Sequence, residues 1–105
     1  MAWIWLAIAG AFEVVWAAGL KHPESMTRPL TAAGVIAAMI ASLVFLWLAM
    51  KTLPLGTAYA VWTGIGTLGT IVLGIVLFGE SAALPRLAFA GLIVIGIVGL
   101  YLVTE

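Results

Sequence analysis

The sequence predicts an all-α integral membrane protein with four transmembrane helices, and three observations lead to this prediction. Of its 105 residues, 66% are hydrophobic and only 8% are charged, whereas a soluble domain carries about 25% charged residues. The hydrophobic residues form four long runs of about 20 residues, the length that crosses a hydrocarbon layer about 30 Å thick as a helix. Proline and basic residues lie in the connections between these runs. We therefore expect a single domain over residues 1–105 whose solvent is mostly lipid.

The four helices are predicted at about residues 3–20, 30–50, 57–78 and 87–103. Four crossings place both chain ends on one side of the membrane and the first and third connections on the other. Lys21, Arg28 and Arg86 then share one side, and only Lys51 lies on the opposite side. Because basic residues favour the cytoplasm, this small difference favours the three-cation side as cytoplasmic. Both orientations remain open.

The composition excludes several classes of function. A net charge of zero with four basic residues cannot neutralise a run of phosphates, so nucleic acid is not expected as a partner. The chain has no cysteine and one histidine, which excludes disulfides and thiolate metal centres. No nucleophile with an adjacent base is visible. We expect neither an enzyme nor a bound metal or cofactor.

Glu13 is the acidic residue whose position needs an explanation. The other acids lie near helix ends, but Glu13 lies near the middle of the first helix, where a charge costs about 3 kcal/mol. No Lys or Arg lies inside any span to neutralise it. A carboxyl in this environment is suited to hold a proton in one state and a cation in another. The alternative is a protonated Glu13 that only packs helices together.

Helical spacing indicates which side chains accompany Glu13. In the first helix Gly10, Trp16 and Ala17 share its face, and the two small residues are expected to leave space around the carboxylate. Other polar and aromatic candidates are Ser42 in the second helix and Tyr59, Trp62, Thr63 and Gly66 on one face of the third. A carboxylate among aromatic rings and hydroxyls suits an organic cation. The alternative for Tyr59 and Trp62 is anchoring or packing in lipid.

Glycines are frequent in the last two helices. Gly64, Gly66, Gly69 and Gly74 in the third helix indicate either close helix packing or a bend. The fourth helix contains Gly91, Gly96 and Gly99 and no polar side chain between Leu87 and Leu100. We therefore expect the fourth helix to take part in helix association, including association between subunits.

Two sequence runs, together with the four short helices, closely resemble the small multidrug resistance transporters over essentially the whole chain. The runs are Gly10-Ala-Phe-Glu13-Val-Val-Trp16-Ala-Ala-Gly-Leu20-Lys21 and Pro54-Leu-Gly56-Thr57-Ala-Tyr59-Ala-Val-Trp62-Thr63-Gly64-Ile-Gly66. Trp16 and Ser42, with the run from Trp62 to Gly66, resemble the guanidinium exporter subtype. The chain departs from the family at Ser25-Met26, where Gly-Phe is common.

The resemblance implies an antiparallel, dual-topology homodimer in the bacterial inner membrane, in which two Glu13 side chains exchange protons for a substrate cation. It further implies a role for each of the other candidates. Tyr59 would couple the two sites, and Trp16 and Trp62 would line the pocket. Gly10 and Thr63, which share helix faces with these residues, complete the set of pocket candidates. Ser42 would orient Glu13. Gly64 and Gly66 would mark a bend, and Gly96 a dimer contact.

Guanidinium fits this set because a planar cation with several N–H donors matches a carboxylate and stacks on an indole ring. Small substituted guanidinium or alkylammonium ions are further candidate substrates. Three alternatives remain open at this point: a multidrug exporter of quaternary ammonium compounds, a non-transporting membrane subunit, and one half of a heterodimer with a sister chain.

Overall fold

A computed structural model describes residues 1–21 and 27–104. Within these residues four α-helices follow one another along the chain: α1 (Ala2–Lys21), α2 (Pro29–Met50), α3 (Leu55–Phe78) and α4 (Leu84–Val103). All four are long and apolar enough to cross a membrane, since the shortest has 20 residues and each residue adds about 1.5 Å. The prediction of four transmembrane helices in an all-α chain is confirmed.

Two helices begin earlier than the sequence indicated. The structure starts α3 at Leu55, directly after Pro54, and α4 at Leu84, with Pro85 in its first turn. Proline has no N–H to lose at a helix start and its fixed φ suits the first turn, so it begins these helices rather than separating them from a longer connection. Arg86, expected in the connection, therefore belongs to α4. The Ser25-Met26 departure lies outside the described residues.

The buried core lies between α1, α2 and α3. α1 packs against both α2 and α3, and α2 also contacts the first half of α3. The core consists mainly of small and aliphatic side chains with one indole: Leu6, Ala9, Leu46, Ala49, Leu53, Ala58, Val61 and Trp62. Small residues let membrane helices approach closely, and this close packing is the main attraction available between helices in lipid.

α4 lies at the edge of this core. It packs against α3, and in the described part of the chain none of its residues is buried. Both of its ends are attached: Tyr101 contacts the Trp3 ring edge-on at 4.8 Å, and Arg86 pairs with Glu80 at 3.1 Å. The described residues form a flat body of 44 × 35 × 16 Å, with most of α4 exposed on its surface.

Candidate functional site

Glu13 projects from the middle of α1 toward α3. Its side chain is half-buried, and its carboxylate occupies the position that a side chain at Gly66 would take. A Cβ atom at Gly66 would overlap the carboxylate, with Oε2 only 2.8 Å away. Gly66 therefore provides the space that the Glu13 carboxylate fills.

Two further glycines bring α1 and α3 together on either side of Glu13. A Cβ at Gly10 would lie 2.8 Å from Cβ of Ile65, and a Cβ at Gly69 would lie 3.3 Å from Cβ of Val14. The sequence predicted that Gly10 leaves space beside the carboxylate, but the Ile65 side chain occupies that position. Gly10 thus lets α3 approach α1, and this approach brings Gly66 to the carboxylate.

Ser42 connects all three core helices. It is fully buried, and its hydroxyl donates to the Ala9 carbonyl of α1 at 2.7 Å. It accepts a hydrogen bond from Nε1 of Trp62 in α3 at 2.9 Å. The single hydroxyl proton is thereby used on the backbone and not on the carboxylate. Because the carbonyl of residue 9 is also the helical acceptor for the N–H of residue 13, Ser42 and Trp62 fix the turn of α1 that carries Glu13.

The remaining α3 candidates lie at different depths. The Tyr59 side chain is 53% exposed, and its ring contacts the ring of Trp62 edge-on at 5.4 Å. Thr63 is half-buried and donates to the Tyr59 carbonyl of its own helix at 2.9 Å, a common use of a threonine hydroxyl inside a helix. Tyr59 therefore lies on the surface of the single chain, next to a buried indole.

Two buried side-chain polar atoms have no hydrogen-bond partner among the described residues: Oε2 of Glu13 and Nε1 of Trp16. Both belong to the same face of α1. An unpaired buried polar group carries a large desolvation cost, so a donor is needed at the carboxylate and an acceptor at the indole. A proton or a cation with N–H groups meets the first need. No group of three or more His, Cys, Asp or Glu residues suited to a metal ion occurs in the described part of the chain.

The glycines of the glycine-rich helices α3 and α4 have different surroundings. At Gly64 a Cβ would lie 2.8 Å from Cδ1 of Ile97, so this residue permits contact between α3 and α4. At Gly96 nothing lies within 4 Å, which leaves an open position on the exposed face of α4. α3 is a continuous helix through Gly64 and Gly66.

A second carboxylate lies at the loop end of α3, outside the spans. Glu80 pairs with Arg86 at 3.1 Å and with Lys21 at 3.4 Å. Hydrogen bonds from Arg86 and then Lys21 hold the pKa of Glu80 below its usual range. We call these three residues the Glu80 cluster. A cavity of about 270 Å³ extends from this cluster between α1 and α3.

Several parts of this arrangement were not predicted from the sequence. The Ala9 carbonyl accepts a hydrogen bond from Ser42, and a backbone acceptor of this kind cannot be recognised from the pattern of side chains. Gly66 was assigned to a bend, whereas it also provides the space for the carboxylate. The Glu80 cluster joins residues far apart in the sequence. A usable signal existed in the row of small residues at 66, 69, 70 and 74, whose spacing places them on one face of α3.

Fold and site together define a small membrane protein of four helices, with a carboxylate at the middle of α1 whose Oε2 atom has no partner among the described residues. Comparison with known proteins identifies its class more closely. The family model of the Small Multidrug Resistance protein matches residues 1–102. The chain belongs to this family and is a multi-pass protein of the bacterial inner membrane.

Curated relatives match along almost their whole length. A protein from Citrobacter freundii is 58% identical over 105 residues, covering 100% of both chains. One from Yersinia pseudotuberculosis is 57% identical over 102 residues, 97% of this chain and 98% of the relative. One from Escherichia coli is 57% identical over 105 residues, again covering 100% of both. Each bears the name "Guanidinium exporter", which denotes transporters and not enzymes.

Proposed function

We propose that this protein is a proton-coupled antiporter that exports guanidinium and small substituted guanidinium or alkylammonium ions. One observation carries the proposal: Glu13 is a half-buried carboxylate in mid-membrane whose Oε2 atom has no partner among the described residues. No Lys or Arg lies in the middle of any helix to neutralise it. Curated relatives that are 57–58% identical over their full length bear the name of guanidinium exporters.

The chemistry of guanidinium matches the needs of this site. Its N–H donors pair with both oxygens of a carboxylate, and its planar face stacks on aromatic rings. In the proposal Glu13 binds either the cation or a proton. Trp16 and Trp62 line the pocket, with Gly10 and Thr63 beside them.

Ser42 has an indirect role in this proposal. Its hydroxyl donates to the Ala9 carbonyl and accepts from Trp62, so it orients Glu13 through the turn of α1 that carries it. The role that the resemblance implied for Ser42, orienting Glu13, is thus proposed to act through the backbone of α1 and not through a bond to the carboxylate.

The functional unit that we propose is an antiparallel, dual-topology homodimer in which two Glu13 carboxylates share one site. Three features of the single chain support it. Tyr59 is exposed next to the site, Gly96 is open on α4, and the body is 16 Å thick in its smallest dimension, so one chain cannot surround a substrate. In this dimer Tyr59 couples the two carboxylates, Gly64 and Gly66 allow α3 to bend, and Gly96 contacts the partner.

Exchange follows from competition for one carboxylate. Protonated Glu13 has lost the charge that holds the cation, so the proton and guanidinium occupy the site in turn. If two protons enter for each monovalent cation that leaves, one net charge moves inward. The membrane potential then adds about 2.3 kcal/mol per 100 mV to export.

The test is transport in liposomes that contain a pH-sensitive dye. A guanidinium gradient imposed on the native protein is expected to drive proton movement in the opposite direction. Glu13→Gln is expected to abolish that movement, because the amide neither ionises nor exchanges a proton. Glu13→Asp, which keeps a carboxyl group, is the matched control and is expected to retain measurable exchange.

Three results would contradict the proposal in different ways. Proton movement with a quaternary ammonium ion but not with guanidinium would assign a multidrug exporter. The absence of proton movement with either cation, in well-folded protein, would favour a non-transporting subunit or one half of a heterodimer. Full activity in Glu13→Gln would remove the carboxylate from the mechanism.

A further inference from the structure

We propose that Glu80 is a positioning residue that closes the loop end of the cavity between α1 and α3, and that this end opens when the Glu80 cluster separates. The inference rests on the proposed function, because it concerns access to the Glu13 site. It is carried by the geometry of Glu80, which three independent contacts hold in place.

The first contact is made by the backbone. α3 ends at Gly79, whose φ of 65° is a left-handed conformation that glycine adopts without strain. The chain turns back there, and the N–H of Glu80 donates to the Gly74 carbonyl at 3.0 Å. Glu80 is thereby directed over the last turns of α3 instead of away from the protein.

The second contact is with Gly74 itself. A Cβ at Gly74 would overlap the Glu80 carboxylate, with the carboxyl carbon 2.8 Å away. The carboxylate thus occupies a position that only glycine leaves open at that point of α3. An exposed glutamate on an unconstrained loop would not need such a position.

The third contact is the pair of cations. Oε2 accepts from Nζ of Lys21, the last residue of α1, at 3.4 Å. Oε1 accepts from Nη2 of Arg86, in the first turn of α4, at 3.1 Å. Nη1 of Arg86 also donates to the Ser81 carbonyl at 2.6 Å. One carboxylate therefore joins the ends of three helices.

The cavity makes this junction relevant to transport. The Glu80 cluster and Phe78 line its outer end, and Ala17 and Thr70 line its wall. Ala17 lies one helical turn from Glu13, about 6 Å along the axis. The cavity ends about one turn short of Glu13, where Val14 packs against Gly69. In the proposal, separation of the Glu80 cluster lets α1 and α3 part at this point, so that the cavity extends inward to the carboxylate.

The experiment measures how accessible the cavity is to a thiol reagent. Because the chain has no cysteine, a single introduced cysteine is the only thiol that can be labelled. Thr70→Cys places the thiol on the cavity wall, and its reaction with a membrane-impermeant maleimide is measured in proteoliposomes. Thr52→Cys, exposed at the opposite end of the helices, is the reference for reagent and orientation.

Two unrelated substitutions are expected to open the cavity. Glu80→Gln removes the charge, and Gly74→Ala displaces the carboxylate without changing any charge. Both are expected to raise the labelling rate at residue 70 by about threefold to tenfold, as expected for loss of a partly exposed ion-pair network. Gly34→Ala is the matched control, since nothing lies within 4 Å of a Cβ at Gly34, and it is expected to leave the rate unchanged.

Salt distinguishes closure by charge from a general loosening of the helices. High salt is expected to raise labelling in the native background, because it screens the partly exposed pairs, and to have little effect in Glu80→Gln. Unchanged labelling in both Glu80→Gln and Gly74→Ala would overturn the proposal, as would an equal rise in Gly34→Ala. Because labelling requires no transport, repeating it in Glu13→Gln tests the closure even if the proposed antiport fails.

Discussion

Two glutamates in this protein pack against glycines on the same side of α3, and the two carboxylates differ in whether basic side chains pair with them. Glu13 fills the space at Gly66, and Glu80 fills the space at Gly74, about two helical turns further along. Glu80 has two cationic partners, whereas Oε2 of Glu13 has no partner among the described residues. The same type of helix contact therefore supports one carboxylate that is neutralised and one that is not.

The difference shows how position in the membrane decides the use of a carboxylate. At the loop end, water and basic residues are available, so Glu80 finds its cationic partners within the protein. No basic residue lies in the middle of any helix, so in the proposed mechanism the counter-charge of Glu13 comes from a ligand or a proton. Four changes to the surroundings of Glu13 or of Glu80 test this comparison, and the largest expected effect comes first.

The largest effect is expected when Glu13 is given the type of partner that Glu80 has. Ala17→Lys places an ammonium group one turn after Glu13, the favourable order for a helical ion pair. A buried pair worth about 3 kcal/mol would lower guanidinium-driven proton flux about a hundredfold. Ala17→Met has similar length and no charge, and residue 17 borders the cavity, so it should retain most of the flux. Equal losses in the two variants would mean that bulk, not charge, is responsible.

Removal of the space for Glu13 should have the next largest effect. Gly66→Ala forces the carboxylate out of its position, and a displacement of this kind is expected to lower guanidinium-driven flux at least about tenfold. Gly34→Ala serves as the control for adding a methyl group to a helix, and flux is measured for both in the same liposomes. Normal flux in Gly66→Ala would show that the carboxylate position is not critical.

A moderate effect on stability is expected from the hydrogen bonds that fix the Glu13 turn. Ser42→Ala leaves the buried N–H of Trp62 without its acceptor, which should lower the free energy of unfolding by about 1–3 kcal/mol. The measurement is reversible unfolding in mixed micelles. Trp62→Phe and the double variant complete a double-mutant cycle. If the two losses simply add, Ser42 and Trp62 do not interact.

The smallest effect concerns the pH dependence of the Glu80 cluster. Its partners lower the pKa of Glu80, so its contribution to stability is fully present above the ordinary glutamate pKa of about 4.3 and is lost as pH falls through the lowered value. The difference in melting temperature between native protein and Glu80→Gln should therefore be constant from pH 8 down to about pH 5 and shrink below about pH 4. A difference that instead grows in acid would contradict the ion pairing.

The sequence was sufficient to predict the fold because lipid imposes few solutions. Runs of about 20 apolar residues must be helices, so the four spans followed directly, and the errors occurred only where Pro54 and Pro85 begin helices instead of separating them. Glu13 was identified for the same reason, since a charge is costly in mid-membrane.

Contacts between helices could not be predicted in the same way. Helical spacing gives the residues that share a face, but it does not give the partner of that face. Ser42 was expected to act on Glu13, yet its hydroxyl donates to a backbone carbonyl that has no signature in the sequence. Gly66 and Gly74 looked alike in the sequence, and only the packing of α1 and the turn at Gly79 show which carboxylate each one faces.

α4 is attached near its ends, through Arg86 and Tyr101, and its residues remain outside the core. In the proposed dimer, the chemistry of transport and the choice of partner therefore reside in different helices. In that dimer, substitutions on the exposed face of α4, away from Ile93 and Ile97 that pack at Gly64, are expected to change which chain is recognised without altering the carboxylate or its hydrogen bonds. After a gene duplication, this separation lets two copies evolve from self-pairing to obligatory pairing with each other while both keep a working site.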